Sequence, residues 1–324
     1  MKEIGGYLEL ERFNGSEYHE KALRFNTVRN SIEYILTIRK YKKIYIPYYM
    51  CDSIRNMLEK IGFSYEYYRI NMHLEPIIKK DISNTDVILI VNYFGAFDND
   101  TIRQICKNYS NIILDNTHAF FQEPIKGVDT VYNCRKFFGV ADGAYLYVEG
   151  DASAYEKLPY DYSTERMEHV LGRYELSAEK YFKKFQDSDN SLDNQSIKKM
   201  SRLTQNLLKG IDYYTALKKR KNNSDILDQE LDIINKFPLN TRGTYMYPLL
   251  VDDGSDVRKK LIKKKIFIPT LWPNVLMECS RDSWEYYLAN NLLPLPIDQR
   301  YSNEEMHYVV SVIKEITKSK GERK

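Results

Sequence analysis

Lys136 lies in the stretch VYNCRKFFGVADGAYLYV (131–148), which opens as a strand and closes as one. Between the two runs sit Arg135, the aromatics Phe137 and Phe138, and an Asp142-Gly143 turn. Desolvating an ammonium is costly unless it is paired or neutralised. A lysine at a strand end is therefore either a plain surface lysine in a loop or a group with a chemical task. Asp115 ends the aliphatic run NIILD, twenty-one positions earlier, and His118 follows three residues after it. Taken alone, Asp115 reads as an exposed loop acid and His118 as a structural histidine. Further upstream, FNTVRNSIEYIL sets a polar turn directly before an amphipathic helix. The N–H groups of a helix start, helped by the helix dipole, form a ready anion site; a plain N-cap by Asn26 or Thr27 is the simpler reading.

These features gain meaning as a set. A lysine that can form an imine, an acid that can keep a pyridine nitrogen protonated and a helix start that can take a phosphate are what pyridoxal phosphate chemistry requires. A lysine tethered in this way is not an unpaired ammonium. Once released, it can carry protons as a general base.

The elements needed to position such a set are legible in the first half of the chain. KKIYIPYY, SYEYYRI, DVILIVNYFG and NIILDNTH read as strands, while CDSIRNMLEKIGF and DNDTIRQICKNY read as helices. Uninterrupted aliphatic runs suit strands covered on both faces, so the expected fold is α/β with a mainly parallel sheet. Pro47-Tyr48-Tyr49, Asn92 to Gly95, and Asp115 to His118 follow successive strands. Ligands of open α/β sheets bind at the carboxyl ends of the strands, so these ends point to one site. From about Thr164 to Lys236 the chain is charged and helical. A second small unit follows, with TYMYPLLV and IFIP as strands, SDVRKKLIKKK as a helix, and a last helix in SNEEMHYVVSVIKEI. Ser302 and Glu305 have the spacing of a capping box at its start. The expected organisation is a large domain over 1–236 and a small C-terminal α/β domain over 237–324.

Composition narrows the classes. Hydrophobic content of 43% and charged content of 29% suit a soluble globular protein. A net charge of +3 gives no global field for nucleic acid or an anionic membrane. The longest aliphatic run, VILIV, is too short to span a bilayer. Cys51, Cys106, Cys134 and Cys279 show no CxxC spacing, and the five histidines show no HxxxH or HxH. Neither a disulfide framework nor a metal site is expected, and a reducing cytoplasm is the expected compartment.

Several segments, in order from about Leu23 to Ile316, resemble the DegT/StrS-type sugar-nucleotide aminotransferases of pyridoxal phosphate fold type I. NTVRNSIEYIL resembles that family's phosphate turn and helix, IYIPYYMCDSI its V-I-V-P-S-F-T-F segment, and VNYFGAFDND its H-x-Y-G stretch. ILDNTHAF is similar to E-D-A-A-Q/H-A, and RKFFGVADGAYLYV to the lysine segment T-K-N-L-G-x-G-x-G-G-A-I. MSRLTQNLLKG resembles the M-S-E-I-Q-A-A helix, and the last eighty residues resemble the small C-terminal domain.

The resemblance implies an imine on Lys136, a pyridine-nitrogen acid at Asp115 and a ring-side contact at His118. It also implies a homodimer whose subunits complete each other's sites. The departures fall at the cofactor. Val28 replaces the turn glycine and Arg29 follows it, so a guanidinium joins the phosphate site. Cys51 stands where a stacking aromatic is expected, with Tyr48 and Tyr49 as candidates to substitute. Asn133 takes the place of the hydroxyl residue before the lysine, and IPTLWPNV lacks the family's histidine. The implied activity is transamination of a keto-sugar nucleotide with an amino-acid donor such as glutamate. Two alternatives stand beside it. One is another pyridoxal phosphate reaction such as sugar dehydration, although that branch carries histidine in place of Lys136. The other is a non-catalytic scaffold or regulatory protein on the same fold.

Overall fold

The computed structural model describes residues 4–150, 153–241, 243 and 245–321. Thr244 of the run TYMYPLLV and the last residues of the basic tail lie outside them. An eight-stranded sheet holds β1 (Leu23–Phe25), β2 (Lys43–Pro47), β3 (Ser64–Ile70), β4 (Pro76–Ile77), β5 (Val87–Val91), β6 (Ile112–Asp115), β7 (Asp129–Asn133) and β8 (Ala144–Tyr147). The strand order is β1-β8-β7-β6-β5-β2-β3-β4. The central pairs β3–β2, β2–β5, β5–β6 and β6–β7 are parallel, and the edge pairs are antiparallel. The fold is α/β with a mainly parallel sheet, as the aliphatic runs imply.

β5 shows why. All five of its residues are buried. Ile88 and Ile90 pack into one hydrophobic cluster, while Val87 and Leu89 pack into another on the opposite face. A strand sandwiched between two cores has no solvent face and therefore no polar alternation. Helices α1 (Val28–Arg39) and α2 (Ser53–Lys60) close one face through Ile32, Ile35, Ile54 and Leu58, and α3 (Asn99–Cys106) brings Ile102 and Ile105 to the other.

The helical middle contains α4 (Ser153–Glu156), α5 (Glu168–Glu175), α6 (Phe182–Ser191), α7 (Arg202–Lys209) and the long α8 (Tyr213–Leu231). Beyond it, β9 (Met246–Leu250) and β10 (Leu292–Pro296) form a two-stranded antiparallel sheet. Around it lie α9 (Gly254–Lys263), α10 (Val275–Glu278), α11 (Trp284–Asn291) and α12 (Asn303–Gly321). This part has its own core, built from Leu249, Leu261, Leu293, Leu295 and Ile313, to which α8 adds Leu227 and Leu231. At the start of α12 the Glu305 carboxylate accepts from the Ser302 amide at 2.8 Å, one half of the expected capping box. Among the described residues, no helix is long and apolar enough to cross a membrane.

One expected strand is corrected. IFIP (266–269) is extended but joins no ladder; Ile266 and Ile268 point into the core while Phe267 is exposed. LLPLP pairs with β9 instead, despite its prolines. Pro294 faces Pro248 directly across the ladder. Alternate pairs of an antiparallel ladder exchange no hydrogen bonds, so both missing N–H groups fall where none is needed.

Candidate active site

Chain connections run from β2 outward to β3, and from β5 in the other direction to β6 and β7. The carboxyl ends of β2 and β5 therefore flank the switch point of the sheet, where open α/β folds have their crevice. Tyr49 follows β2 and Tyr93 follows β5, and the Tyr93 hydroxyl donates to the Tyr49 carbonyl at 2.7 Å. Both rings are almost completely buried.

Asp115 ends β6 beside this point. It is 8% exposed, and its Oδ1 accepts from the Thr117 amide at 2.8 Å. Burial pushes its pKa up, while the Thr117 contact and the nearby Lys136 charge pull it down. Among the described residues no ion pair reaches it. His118 is also buried. Its Nδ1 accepts from the Phe94 amide at 3.3 Å, and Tyr245 stacks on its ring at 4.0 Å between centroids, tilted by 16°.

Lys136 follows β7 in the connection to β8 and is exposed. The premise of a buried strand-end ammonium therefore does not hold: the lysine is exposed, yet its charge still bears on Asp115 and His118. Its loop is fixed around it. The Cys134 amide donates to the Gly143 carbonyl at 3.1 Å, and the Phe137 amide to the Cys134 carbonyl at 3.0 Å. Gly143 has φ +118, and an added Cβ would crowd Thr204 and Cys134, so the Asp-Gly turn has little tolerance for another residue. Asp142 is fully buried and accepts from the Ser201 amide and hydroxyl, each at 2.7 Å, anchoring the turn to the start of α7. The Gly143 amide donates to the Asn26 carbonyl at 2.7 Å. The lysine loop is thus tied to the residue that precedes the α1 cap.

At the α1 start, the Thr27 side chain accepts from the Asn30 amide and the Asn26 side chain accepts from the Thr27 amide. The Val28 and Arg29 amides remain as open donors among the described residues. Cations gather beside them. Arg29 pairs with Asp193, and Arg135 with Asp189 at 2.8 Å. Against a partial desolvation that would raise it, Asp189 is held below the ordinary carboxylate range by Arg135, Lys136 and Arg29. Three cations therefore converge on one place, where α6 and its following loop present carboxylates.

The remaining candidates from the sequence are less central. Asn133 ends β7, and its Oδ1 accepts from the Arg135 amide at 3.0 Å, so half of its amide is spent on the local turn. Cys51 is half-buried, with Sγ 2.9 Å from the Ser53 hydroxyl. Tyr48 stacks on Tyr67 and lies under Arg69, so its ring is already engaged. The fold also brings Trp272, Tyr245 and Arg220 to this place from the C-terminal half, and little in the sequence marks them as site residues. An aromatic before proline in LWPN was the one visible signal.

The buried histidines carry a pH dependence. Burial pushes His118 down to about 3, helped by the Lys136 charge, and pushes His19 down to about 4 against its bond to the Phe120 carbonyl. Both are neutral when folded at pH 7 and regain an ordinary pKa near 6.5 on unfolding. Below that value the unfolded chain binds protons that the folded chain refuses, so stability falls as the pH drops from about 6.5 toward 3. Each histidine costs on the order of 3 kcal/mol or more across that range. Urea midpoints measured between pH 7 and pH 4.5 should fall steadily. His19→Gln, which can donate to Phe120 without titrating, should flatten that slope; an unchanged slope would remove His19 from it.

No protein-family model matches the chain, and no curated protein matches it. Solved structures do. Spr1654 from Streptococcus pneumoniae in its PMP-form, described as a sugar aminotransferase, shares 16% identity at a TM-score of 0.65; the match covers 92% of this chain and 86% of that one. CalS13 from Micromonospora echinospora, also a sugar aminotransferase, shares 14% identity over 91% of this chain and 87% of its own, at a TM-score of 0.61. Helicobacter pylori PseC, an aminotransferase involved in the biosynthesis of pseudoaminic acid, shares 14% identity over 92% and 87%, at a TM-score of 0.62. At such identities the likeness establishes the fold, which is that of the fold-type-I aminotransferases.

Proposed function

We propose that this chain is a pyridoxal phosphate-dependent aminotransferase acting on a keto-sugar nucleotide, with an amino acid such as glutamate as donor. The observation that carries the reading is the buried Asp115 carboxylate, without an ion pair among the described residues, with Lys136 close enough to shift its pKa. A carboxylate desolvated in this way is offset by a cation placed against it, and a protonated ring nitrogen is such a cation. The donor set also fits the other end of the cofactor. The open Val28 and Arg29 amides, with Arg29 and Arg135, suit a phosphate. The fold shared with sugar aminotransferases supports the substrate class.

Bound in this crevice, pyridoxal phosphate would supply an aldehyde that captures amines and a ring that accepts electrons. The protein's own groups divide the remaining work. Asp115 would hold a proton on the ring nitrogen. Lys136 Nζ, exposed and on a fixed loop, would provide the tethering amine and then serve as the base that moves a proton. His118, neutral at pH 7, would lie at the ring's side without adding a second positive charge. The α1 amides and the two arginines would receive the phosphate. Asn133 keeps its amide nitrogen available for the same group, and Cys51 has no ring to offer. The exposed apolar residues Leu171, Tyr174, Leu176, Phe182 and Phe185 support a homodimer, since such a surface favours burial against a second copy.

Borohydride reduction of cofactor-loaded protein, followed by peptide mapping, should place the reduced label on Lys136. A label on another lysine, or none, would overturn the assignment. The pairing of Arg29 with Asp193 and the absence of a ring at Cys51 favour a second reading, a non-catalytic protein on the same fold. That reading expects no conversion of any amino donor by the loaded protein.

A further inference from the structure

Trp272 lies outside the eight-stranded sheet's own connections, in the segment that leads to α10, yet its ring reaches the switch point of that sheet. It meets Tyr49 edge-on at 4.5 Å between centroids and Tyr93 at 5.7 Å. It lies parallel to the His118 ring within 6°, at 5.9 Å. The segment is pinned beside the β2 end, because the buried Asn274 side chain donates to the Met50 carbonyl at 3.1 Å. Met50 directly precedes Cys51, so the indole arrives beside a half-exposed position that has no ring of its own.

The backbone at Trp272 is unusual. Its φ is +56, and proline follows. A bulky residue avoids the left-handed region, and a residue before proline is restricted further. Such a conformation persists only where the surroundings over-determine it, and it concentrates at ligand-binding places. Tyr49 and Tyr93 meet the indole at steep angles, and the ring is only part-buried, so some of it remains accessible.

We infer that Trp272 supplies the stacking ring for the planar pyridine of the cofactor, delivered from the C-terminal half of the chain to the β2–β5 switch point. This rests on the proposed function, because the pyridine is what the ring would cover. A pyridine stacked on the indole would lie parallel to the His118 plane as well. Trp272 is a positioning residue: it carries no proton and forms no bond.

Pyridoxamine phosphate is the suitable probe, because it cannot form an imine with Lys136 and its affinity reads non-covalent contacts alone. Calorimetric titration should give Trp272→Phe an affinity within a few-fold of the unaltered chain, and Trp272→Gly a roughly tenfold weaker one. Glycine relieves the positive φ but forfeits the indole's packing on Tyr49 and Tyr93, so the melting temperature of the cofactor-free Trp272→Gly protein should fall and the affinities decide. A purely structural tryptophan predicts that fall with equal affinity in all three folded proteins, and that result would overturn the inference while leaving the proposed function standing. Failure of the unaltered chain to bind pyridoxamine phosphate would remove both.

Discussion

Asp115→Asn should lower the rate of the first half-reaction by on the order of a hundred- to thousandfold, without lowering the stability of the cofactor-free protein. The side chain keeps its size, and the asparagine oxygen can still accept from the Thr117 amide, as Oδ1 does now. What disappears is the negative charge. In a buried site a fixed charge acts through a low dielectric, and removing one preorganised electrostatic group commonly costs that much in turnover. Stability should move the other way or stay level. Burial pushes the Asp115 pKa up, so the ionised form is less at ease folded than unfolded. Its raised folded pKa means that stability is lost as the pH rises through it, and a neutral amide avoids that loss. The check is to load both proteins with cofactor, add excess glutamate and other amino acids in parallel, and follow the appearance of pyridoxamine phosphate beside thermal melts. A rate equal to that of the unaltered chain would take Asp115 out of the mechanism.

The parts of the fold that were legible are those where local pattern and tertiary demand agree. VILIV has no polar residue because both of its faces are covered, and the sequence states this directly. The Thr27 cap of α1 and the Ser302–Glu305 start of α12 were readable for the same reason: a short polar signal sits before a periodic apolar stripe. IFIP and LLPLP show where local pattern misleads. The first has the better β composition but no ladder partner; the second carries two prolines whose cost depends on which residue faces them across the ladder. Register is not written in either segment.

The candidate site divides in a similar way. Asp115, His118 and Lys136 stand as candidates because they follow strands, and strand ends are visible. The exposure of Lys136 was not, since a loop's burial depends on elements far along the chain. Trp272 and Tyr245 reach the crevice from the C-terminal half, and no spacing rule connects residues so distant. The carboxylates of Asp189 and Asp193 are a related case. The run DSDNSLDNQS (187–196) that holds them reads as a loop, but α6 takes in its first half, and both carboxylates face the cations that gather at the α1 start. A phosphate arriving there would have to displace or share those partners. Retention of the cofactor should therefore be weaker than the cation count alone implies.

Arg220→Met should destabilise the protein by about 2–5 kcal/mol, because it strips hydrogen bonds from buried acceptors on three segments. Nothing in ALKKRKNN distinguishes Arg220 from its cationic neighbours, yet it is 1% exposed. Its Nε donates to the Gln299 side chain at 2.7 Å, one Nη to the Tyr245 carbonyl at 3.3 Å, and the other to the Phe137 carbonyl at 2.9 Å. The guanidinium also lies over the Phe137 ring at 4.6 Å. Burial pushes its pKa down to about 10, which still leaves it charged at neutral pH. Gln299 donates to the same Phe137 carbonyl at 3.0 Å. The residue after Lys136 is therefore held by two donors, one from α8 and one from the segment beyond β10. Methionine fills much of the volume but takes this donor from the Tyr245 carbonyl and the Gln299 oxygen and leaves Phe137 with Gln299 alone, and each buried acceptor left unsatisfied carries a penalty of roughly 1–3 kcal/mol. Lysine should fall between the two, because an ammonium keeps the charge but cannot fork to acceptors on three segments. Against a typical total stability of about 5–15 kcal/mol, the methionine loss is large enough to read from urea midpoints. The same network fixes the loop that carries Lys136, so borohydride labelling of Lys136 in Arg220→Lys, which should remain folded, is expected to weaken as well. A loss below about 1 kcal/mol in Arg220→Met, with labelling intact, would mean that Gln299 alone suffices to hold the Lys136 loop.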